Sequence, residues 1–442
     1  MDPILSALAI LAGILVFLVS GIWIYASLIL VAVLSLMFIG DMNFGRVTDI
    51  FGSITLRSSG SWELSAIPLF VWMGELILLT DISSRIFRGL APLVRRLPGG
   101  LVHSNVFGCT LFSAICGSSA ATTATVGKIT ITELRKNSYH DSLILGSLAG
   151  SGSLGLLIPP SIVMIVYGVL AEVPVDRLFA AGVLPGLLLG FLFSLYIGAN
   201  SLIRGGRSTQ AAPLETVSED RAGYTLFNSL LDLLPIAIII GIVLGSIYTG
   251  VATPSEAAAI GTLSVLVLTV VTGAMNWSVF HKSLMSALYT STMIFAVVVA
   301  ASLISTALGY LHIPINLANM IVESNLTPGQ FILIISVFFI FLGMILDGIS
   351  IVVMSLPILF PIVTAMGIDP IWFGIYLVIM VELGQITPPV GFNLMIIHGM
   401  SGAPISKVAV YALPFCGLMC LGVLILYMAP AIVLYLPQYL FG

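Results

Sequence analysis

Apolar runs of about 20 residues recur along this 442-residue chain from end to end, and a run of that length can cross a bilayer as an α-helix. Only 8% of the residues are charged and the mean hydropathy is +1.17, whereas a water-soluble domain carries about a quarter charged residues. The short alternating segments of a membrane β-barrel are not apparent. The sequence therefore predicts an all-α polytopic membrane protein embedded in the lipid bilayer.

Several function classes lack their sequence signals. The net charge of −4 and the missing basic tail argue against a nucleic-acid partner. Cys109, Cys116, Cys416 and Cys420 have no C-x-x-C spacing, so helix packing is favoured over a metal site or a disulfide. No Ser–His or paired-Asp arrangement at helical spacing suggests an enzyme. No phosphate-binding loop is present, because Ile129 follows the lysine in TVGKIT.

Positive charges predict the orientation of the first half, because Lys and Arg stay on the cytoplasmic side of a membrane. The connector at 81–100 contains four arginines and should be cytoplasmic. The apolar segment at 104–132 ends in basic residues as well. With both ends basic, it is predicted to be a re-entrant hairpin that enters from the cytoplasm and turns within 116–125.

The rest of the first half follows from that orientation. The next span, at about 142–170, should cross outward, and GSGSLGLLIPPS at 150–161 interrupts it. The chain should return through 182–203 to an exposed loop that contains Arg204, Arg207 and Arg221.

The second half shows the opposite charge pattern, since no Lys or Arg lies between Lys282 and Lys407. A second hairpin is predicted at 341–363, with its ends outside the cell. The span from about Pro370 should then run inward, and ELGQITPPVGFN at 382–393 interrupts it.

The two halves also match by position. IPPS at 158–161 aligns with TPPV at 387–390, and the LP pair at 184–185 aligns with that at 413–414, both at an offset of 229 residues. Together with the inverted charge pattern, this predicts two inverted repeats, each with a re-entrant helical hairpin and a broken transmembrane helix. The predicted divisions are N-terminal transmembrane helices (1–61), the first repeat (62–203), a linker with scaffold helices (204–283) and the second repeat (284–442).

Two consecutive prolines break a helix and free its carbonyl groups, which is costly in hydrocarbon unless something polar lies there. Each break should face a hairpin tip rich in Gly and Ser, so that half-helix ends and tip form a cage of oxygen atoms. Hard cations prefer oxygen ligands, which predicts one Na⁺ site per cage. Helix N-termini between the cages would attract an anionic substrate.

Several side chains could serve such sites. Asp347 lies at the second hairpin turn, where it either binds a cation or caps a half-helix in its protonated form. Glu382 is a second acid or a helix-end cap. Thr387 lies in the second break, and Ser118 and Ser119 lie at the first tip, where they coordinate a cation or merely allow close helix packing.

The motif GSIYTGVATPSEAAAIG at 245–261, together with the hairpins and the two proline breaks, resembles the large membrane subunit (DctM type) of tripartite ATP-independent periplasmic (TRAP) transporters over essentially the whole chain. One small departure is Ser255, where Thr is more usual. The resemblance implies sodium-driven uptake of an organic carboxylate by an elevator mechanism in the bacterial inner membrane. It also implies two partners, a periplasmic substrate-binding protein and a separate small four-helix membrane subunit.

The resemblance also assigns residues. It implies a first cation site at Ser118, Ser119 and the break from Gly150 to Gly152. Its counterpart would use Asp347, Gly348, Thr387 and Gly391. Candidates for substrate contact are Asn393, which could instead tie two helices together, Ser153 and Ser350.

Other functions remain open from the residues alone. A proton-coupled carrier would titrate Asp347 or Glu382 instead of binding Na⁺. A channel would also use re-entrant hairpins, although an inverted pair with separate broken helices favours transport.

Overall fold

The computed structural model describes residues 3–203, 226–324 and 326–442, and the regular structure in this part of the chain is entirely helical. Six helices are long and apolar enough to cross a membrane, or up to seven if the bent pair at 44–59 and 62–78 counts as one span. The prediction of an all-α chain with several apolar spans is confirmed. The loop predicted around Arg204, Arg207 and Arg221 lies outside the described residues.

Five helices precede the first predicted hairpin. A tight turn at 20–23 joins the first two. The arginine-rich connector is itself partly helical and packs against a helix of the central region. The five are α1 (Pro3–Val19), α2 (Ile24–Phe38), α3 (Phe44–Ser59), α4 (Ala66–Leu78) and α5 (Ile82–Val94).

The next five helices contain the first proline break. They are α6 (His103–Cys116), α7 (Ser119–Lys136), α8 (Asp141–Gly152), α9 (Ile162–Ala171) and α10 (Val175–Ile203). The helices α6 and α7 pack against each other and meet at Gly117, whose φ of +59° is a left-handed conformation that suits glycine. The turn is therefore shorter than the predicted 116–125, because Ser119 already begins a helix.

The central helices are α11 (Leu226–Tyr248), α12 (Pro254–Val271), α13 (Trp277–Tyr310) and α14 (Ile313–Glu323). The 245–261 motif joins α11 to α12. Within it Thr253 and Glu256 form a capping box at the start of α12. The hydroxyl of Ser255 donates a hydrogen bond to the carbonyl of Trp62 at 3.0 Å. The motif thus ties α12 to the chain just before α4, against which α12 packs.

The last six helices are α15 (Pro328–Gly343), α16 (Gly348–Ala365), α17 (Pro370–Gln385), α18 (Phe392–Ser401), α19 (Ile405–Met428) and α20 (Ala431–Phe441). The second break therefore lies at 386–391 and not at 382–393 as predicted. Glu382 belongs to the last turn of α17. Proline at 388 disfavours the helical conformation at Thr387, so the helix can continue almost to that residue.

Helices of the two halves begin at matching positions. The starts of α7 and α16 differ by 229 residues, as do those of α8 and α17, and the starts of α9 and α18 differ by 230. The packing also crosses between the halves: α9 lies against α16, and α18 lies against α7. Each half-helix after a proline break thus contacts the second hairpin helix of the other half.

Close approach of α8 and α19 depends on small residues. A Cβ atom at Gly146 would lie 2.2 Å from the carbonyl oxygen of Tyr411, and one at Gly150 would lie 2.6 Å from the ring of Phe415. A Cβ atom at either distance would overlap the neighbouring atom. The helices α8 and α19 can therefore lie this close only with glycine at both positions.

We therefore expect Gly146→Ala to destabilise the protein by about 1–3 kcal/mol, because the added methyl group meets rigid backbone. The measurement is the melting temperature of the purified protein in detergent. The control is Gly417→Ala on α19, where no atom lies within 4 Å of the added Cβ. Equal melting temperatures for the two variants would contradict the close α8–α19 contact.

Candidate functional site

The first hairpin tip touches the first proline break through its backbone. The amide of Ile162 donates to the carbonyl of Gly117 at 3.3 Å. A Cβ at Gly155 would lie 2.5 Å from Cα of Ser119. Ser118 caps α7, because its hydroxyl accepts from the amide of Ala121 at 3.4 Å. Tip and break therefore form one unit, and Pro159 and Pro160 within it are joined by a cis peptide.

The second tip and break are arranged in the same way. The amide of Gly391 donates to the carbonyl of Met344 at 3.3 Å. Gly343 and Gly384 lie so close that a Cβ on either would be 2.5 Å from Cα of the other. A cis peptide joins the two prolines of this break as well. Both predicted juxtapositions of a tip with a break are thus present in the structure.

Asp347 caps α16 and is half-buried. One carboxylate oxygen accepts from the amides of Ile349 and Ser350, at 3.2 and 3.4 Å, and the other accepts from the hydroxyl of Ser350. The helix-capping role considered for Asp347 is therefore present. It leaves one acceptor position, on the oxygen that accepts from the hydroxyl of Ser350, because a carboxylate accepts about four hydrogen bonds, two at each oxygen.

The hydroxyl of Ser119 lies where the two halves meet. It is 3.1 Å from the carbonyl of Gly152 and 2.9 Å from Oε2 of Glu382, and it accepts from the side-chain amide of Asn393 at 2.6 Å. Four helices, α7, α8, α17 and α18, therefore converge on one oxygen atom. The distance to Asn393 confirms a tie between helices, and the residue faces the first tip.

The Glu382 and Asn393 side chains, which contact this hydroxyl, also carry unpaired oxygen atoms. Glu382 and Asn393 are both fully buried, yet Oε1 of Glu382 and Oδ1 of Asn393 have no hydrogen-bond partner. The hydroxyl of Thr123, which lies against Gly152, and that of Ser151 are also unpaired. Leaving such groups without partners in the protein interior costs free energy. Oxygen atoms of this kind are cation ligands, and those of Glu382, Asn393 and Thr123 could hold a cation together with the Gly152 carbonyl.

The other predicted residues have local partners. The hydroxyl of Ser153 lies 2.5 Å from the carbonyl of Gly150 and 3.4 Å from the sulfur of Met419, so it points towards α19. The hydroxyl of Thr387 donates to the carbonyl of Leu383 at 2.6 Å. A Cβ at Gly348 would lie 2.8 Å from Nε2 of Gln385. Ser118, Ser119 and Gly152 thus lie together at the first tip, and Asp347, Gly348 and Gly391 lie at the second.

Sequence reasoning considered Glu382 as a second acid or a helix-end cap but assigned it to neither cation site, although it is the most buried acid near either break. The predicted start of the break at residue 382 made a helix-end role plausible. The signal for a site was an acid within the apolar run of α17, since such residues are costly in a membrane and usually functional. Thr123 and Ser151 were missed because isolated hydroxyls in apolar helices are common.

A second contact fixes the far end of the α7–α18 pair. The guanidinium of Arg135 forms a bidentate ion pair with Asp141, at 2.9 and 2.8 Å, and donates to the carbonyl of Ser401 at 3.0 Å. Arg135 lies in the last turn of α7, and Ser401 is the last residue of α18. The two helices are therefore connected at both ends, by Ser119 and Asn393 at one and by Arg135 at the other.

Comparison with known families identifies this arrangement. The family model described as "Tripartite ATP-independent periplasmic transporter, DctM component" matches residues 11–432. The chain belongs to this family. The C4-dicarboxylate TRAP transporter large permease protein DctM of Pseudomonas aeruginosa is 34% identical over 385 residues, which are 87% of this chain and 88% of that protein. The sialic acid TRAP transporter large permease protein SiaM of Vibrio cholerae is 28% identical, over 86% of this chain and 88% of that protein.

A solved structure has the same fold at low sequence identity. The YdaH transporter of Alcanivorax borkumensis superposes with a TM-score of 0.61, over 88% of this chain and 90% of that one, with 13% identity. The family match and the 34% identical relative confirm the resemblance to DctM subunits drawn from the sequence. The chain is a multi-pass TRAP transporter large subunit.

The Ser119 contacts can be tested with a double-mutant cycle. Ser119→Ala and Asn393→Ala should each destabilise this DctM subunit by about 1–3 kcal/mol, because each leaves buried polar atoms unpaired. Combined, they should show a coupling energy of about 0.5–3 kcal/mol. Thermal unfolding of the single and double variants in the same detergent measures it.

The control for this cycle is Thr130→Val, also on α7, whose hydroxyl bonds only to the carbonyl of Val126 at 2.9 Å. It should show no coupling with Asn393→Ala. Additive effects of Ser119→Ala and Asn393→Ala would contradict a direct hydrogen bond between the two halves.

Proposed function

We propose that this DctM subunit carries out sodium-coupled uptake of an organic carboxylate across the bacterial inner membrane. The observation that carries the proposal is the pair of hairpin tips, each in contact with a proline break, with unpaired buried oxygen atoms beside the first. Two clusters of backbone and side-chain oxygens without a lysine or arginine suit alkali cations.

The substrate would bind between the two tips. Four helices begin there, α7, α9, α16 and α18, and helix N-termini favour anions. Because no Lys or Arg lies between residues 282 and 407, a carboxylate in this region would depend on bound cations and helix dipoles for its charge. The relatives named for C4-dicarboxylate and sialic acid support a carboxylate substrate.

Movement would follow the elevator mechanism. The matching helix starts and the reciprocal packing of α9 with α16 and of α18 with α7 support two inverted repeats whose hairpins and broken helices form one transport unit. The long α13, which packs against α2 and α4, and the α11–α12 pair would belong to the scaffold. The basic residues near both ends of the α6–α7 pair support a hairpin that re-enters from the cytoplasm.

Two partners complete the proposed transporter. A soluble periplasmic binding protein would deliver the substrate, and a separate small four-helix membrane subunit would join the scaffold. The name "large permease protein" of the relatives supports a second, smaller permease component.

Sodium coupling supplies enough free energy without ATP. A tenfold Na⁺ gradient contributes about 1.4 kcal/mol per ion, and each net positive charge moved inward gains about 2.3 kcal/mol per 100 mV. Two Na⁺ ions with a monoanion would therefore gain about 5 kcal/mol. That suffices for concentrative uptake.

The fully buried Glu382 favours one alternative, a proton-coupled carrier. Its carboxyl group could carry a proton across the membrane in place of a cation. Uptake into proteoliposomes, with the binding protein and small subunit present, separates the two functions. A Na⁺ gradient should drive uptake, and a proton gradient alone should not.

We expect Na⁺ to raise the melting temperature of the wild-type protein above its value in matched KCl. Binding to the folded state contributes about 2.7 kcal/mol per site at a hundred times the dissociation constant. Asp347→Asn should retain the helix cap, since Asn is a good N-cap residue, and should lose part of the Na⁺ response. Asp347→Ala should lose the cap as well and melt lower in both salts.

The comparison of the two Asp347 variants separates capping from cation binding. Equal melting in Na⁺ and K⁺, with a shift on changing pH, would contradict sodium coupling and support the proton-coupled carrier. Passive substrate flux without any gradient or binding protein would indicate a channel.

A further inference from the structure

The two hairpin tips differ in charge. Asp347 precedes α16 at the second tip, and the residue 229 positions earlier is Ser118, which precedes α7 at the first. Both residues cap their helices, but only one carries a carboxylate. If each tip binds a cation, the first lacks an acid of its own.

Glu382 brings a carboxyl group to the first tip from the other half of the molecule. It extends from the last turn of α17 to Ser119, the first residue of α7, with 2.9 Å between Oε2 and the hydroxyl. The residue 229 positions earlier is Ser153, so the acid has no equivalent in the first half. At both pairs of positions the first half has serine and the second half has the acid.

We propose that Glu382 is the charge-compensating ligand of the first cation site, contributed by the second half to the hairpin tip of the first. The inference rests on the sodium-coupled function proposed above. It makes the first site incomplete without α17.

The unpaired atoms support this assignment. Oε1 of Glu382 and Oδ1 of Asn393 are acceptors without a hydrogen-bond donor, and both belong to fully buried side chains. The amide nitrogen of Asn393 is directed at Ser119, so its oxygen remains free. A cation satisfies acceptors that have no donor. It also neutralises a carboxylate that would be very costly alone in a membrane.

A cation at the first site would contact residues from both halves of the molecule. Ser119 and Gly152 belong to the first half, whereas Glu382 and Asn393 flank the second break on both sides. A cation held by all four would fix α17 and α18 against α7. Occupation of the first site would therefore hold the second break in place.

The test is a Na⁺ titration of the melting temperature of the full-length protein, with choline chloride keeping the ionic strength constant. Glu382→Gln preserves the size of the side chain and removes its charge. We expect the Na⁺ concentration at half-maximal stabilisation to rise at least about tenfold, since a charge at contact distance dominates the affinity of such a site. The control is Glu133→Gln, a half-buried acid in the last turn of α7, at the opposite end of that helix from Ser119, which should leave the titration unchanged.

A rescue variant tests directly whether the first site needs an acid. Ser118→Asp together with Glu382→Gln places the acid at the first tip, as Asp347 is at the second. Aspartate is also a good helix cap. The double variant should regain a Na⁺ half-saturation closer to that of the wild type than Glu382→Gln alone. If Glu382→Gln does not fold, Glu382→Asp keeps the charge on a shorter side chain and should show a smaller shift.

Three results would overturn the inference. The first is a Glu382→Gln titration that coincides with the wild-type curve. The second is an equal loss of melting temperature in Na⁺ and choline with no shift in half-saturation, which would make Glu382 a hydrogen-bonding brace only. The third is a wild-type protein without any Na⁺-specific stabilisation, which would overturn the proposed function as well.

Discussion

Backbone groups freed by the two proline breaks must find partners inside the protein, and the architecture of both halves depends on this constraint. Each break satisfies it with the hairpin tip of its own half, through Ile162 and Gly117 in one and through Gly391 and Met344 in the other. An unsatisfied group in hydrocarbon costs several kcal/mol. Each tip must therefore lie close to the break of its own half, which explains why residues 155, 343 and 384 are glycines.

The two halves have the same order of helices, but their proline breaks differ in solvent exposure. Residues 151–168, which include the first break, are buried throughout, whereas Pro389 and Val390 of the second are exposed. The acids at the two tips also differ in burial. Asp347 is half-buried and has donors from its own helix, while Glu382 is fully buried and has one oxygen without a donor. The more enclosed site is thus the one whose carboxylate most needs a counter-charge.

Local sequence patterns predicted the breaks and the tips, because proline and glycine restrict the backbone wherever they occur. They placed the second break too early, since Pro388 acts on Thr387 and does not end the helix at Glu382. The contact between Ser119 and Glu382 joins residues 263 positions apart, so no local pattern could predict it. The offset of 229 aligned each half with the other but did not show that α9 and α18 cross over to the opposite half.

The Ser119 hydroxyl has a single proton, which limits what it can do. It accepts from Asn393, and it can donate to the Gly152 carbonyl or to Glu382, but not to both at once. Donation to Gly152 leaves Glu382 without a hydrogen bond from this hydroxyl. Donation to Glu382 leaves one lone pair of the Gly152 carbonyl available, and the acceptors open to a cation are then Gly152 O, Glu382 Oε1 and Asn393 Oδ1. A cation placed among these three oxygens would favour the second arrangement, which joins the halves by a charge-assisted hydrogen bond.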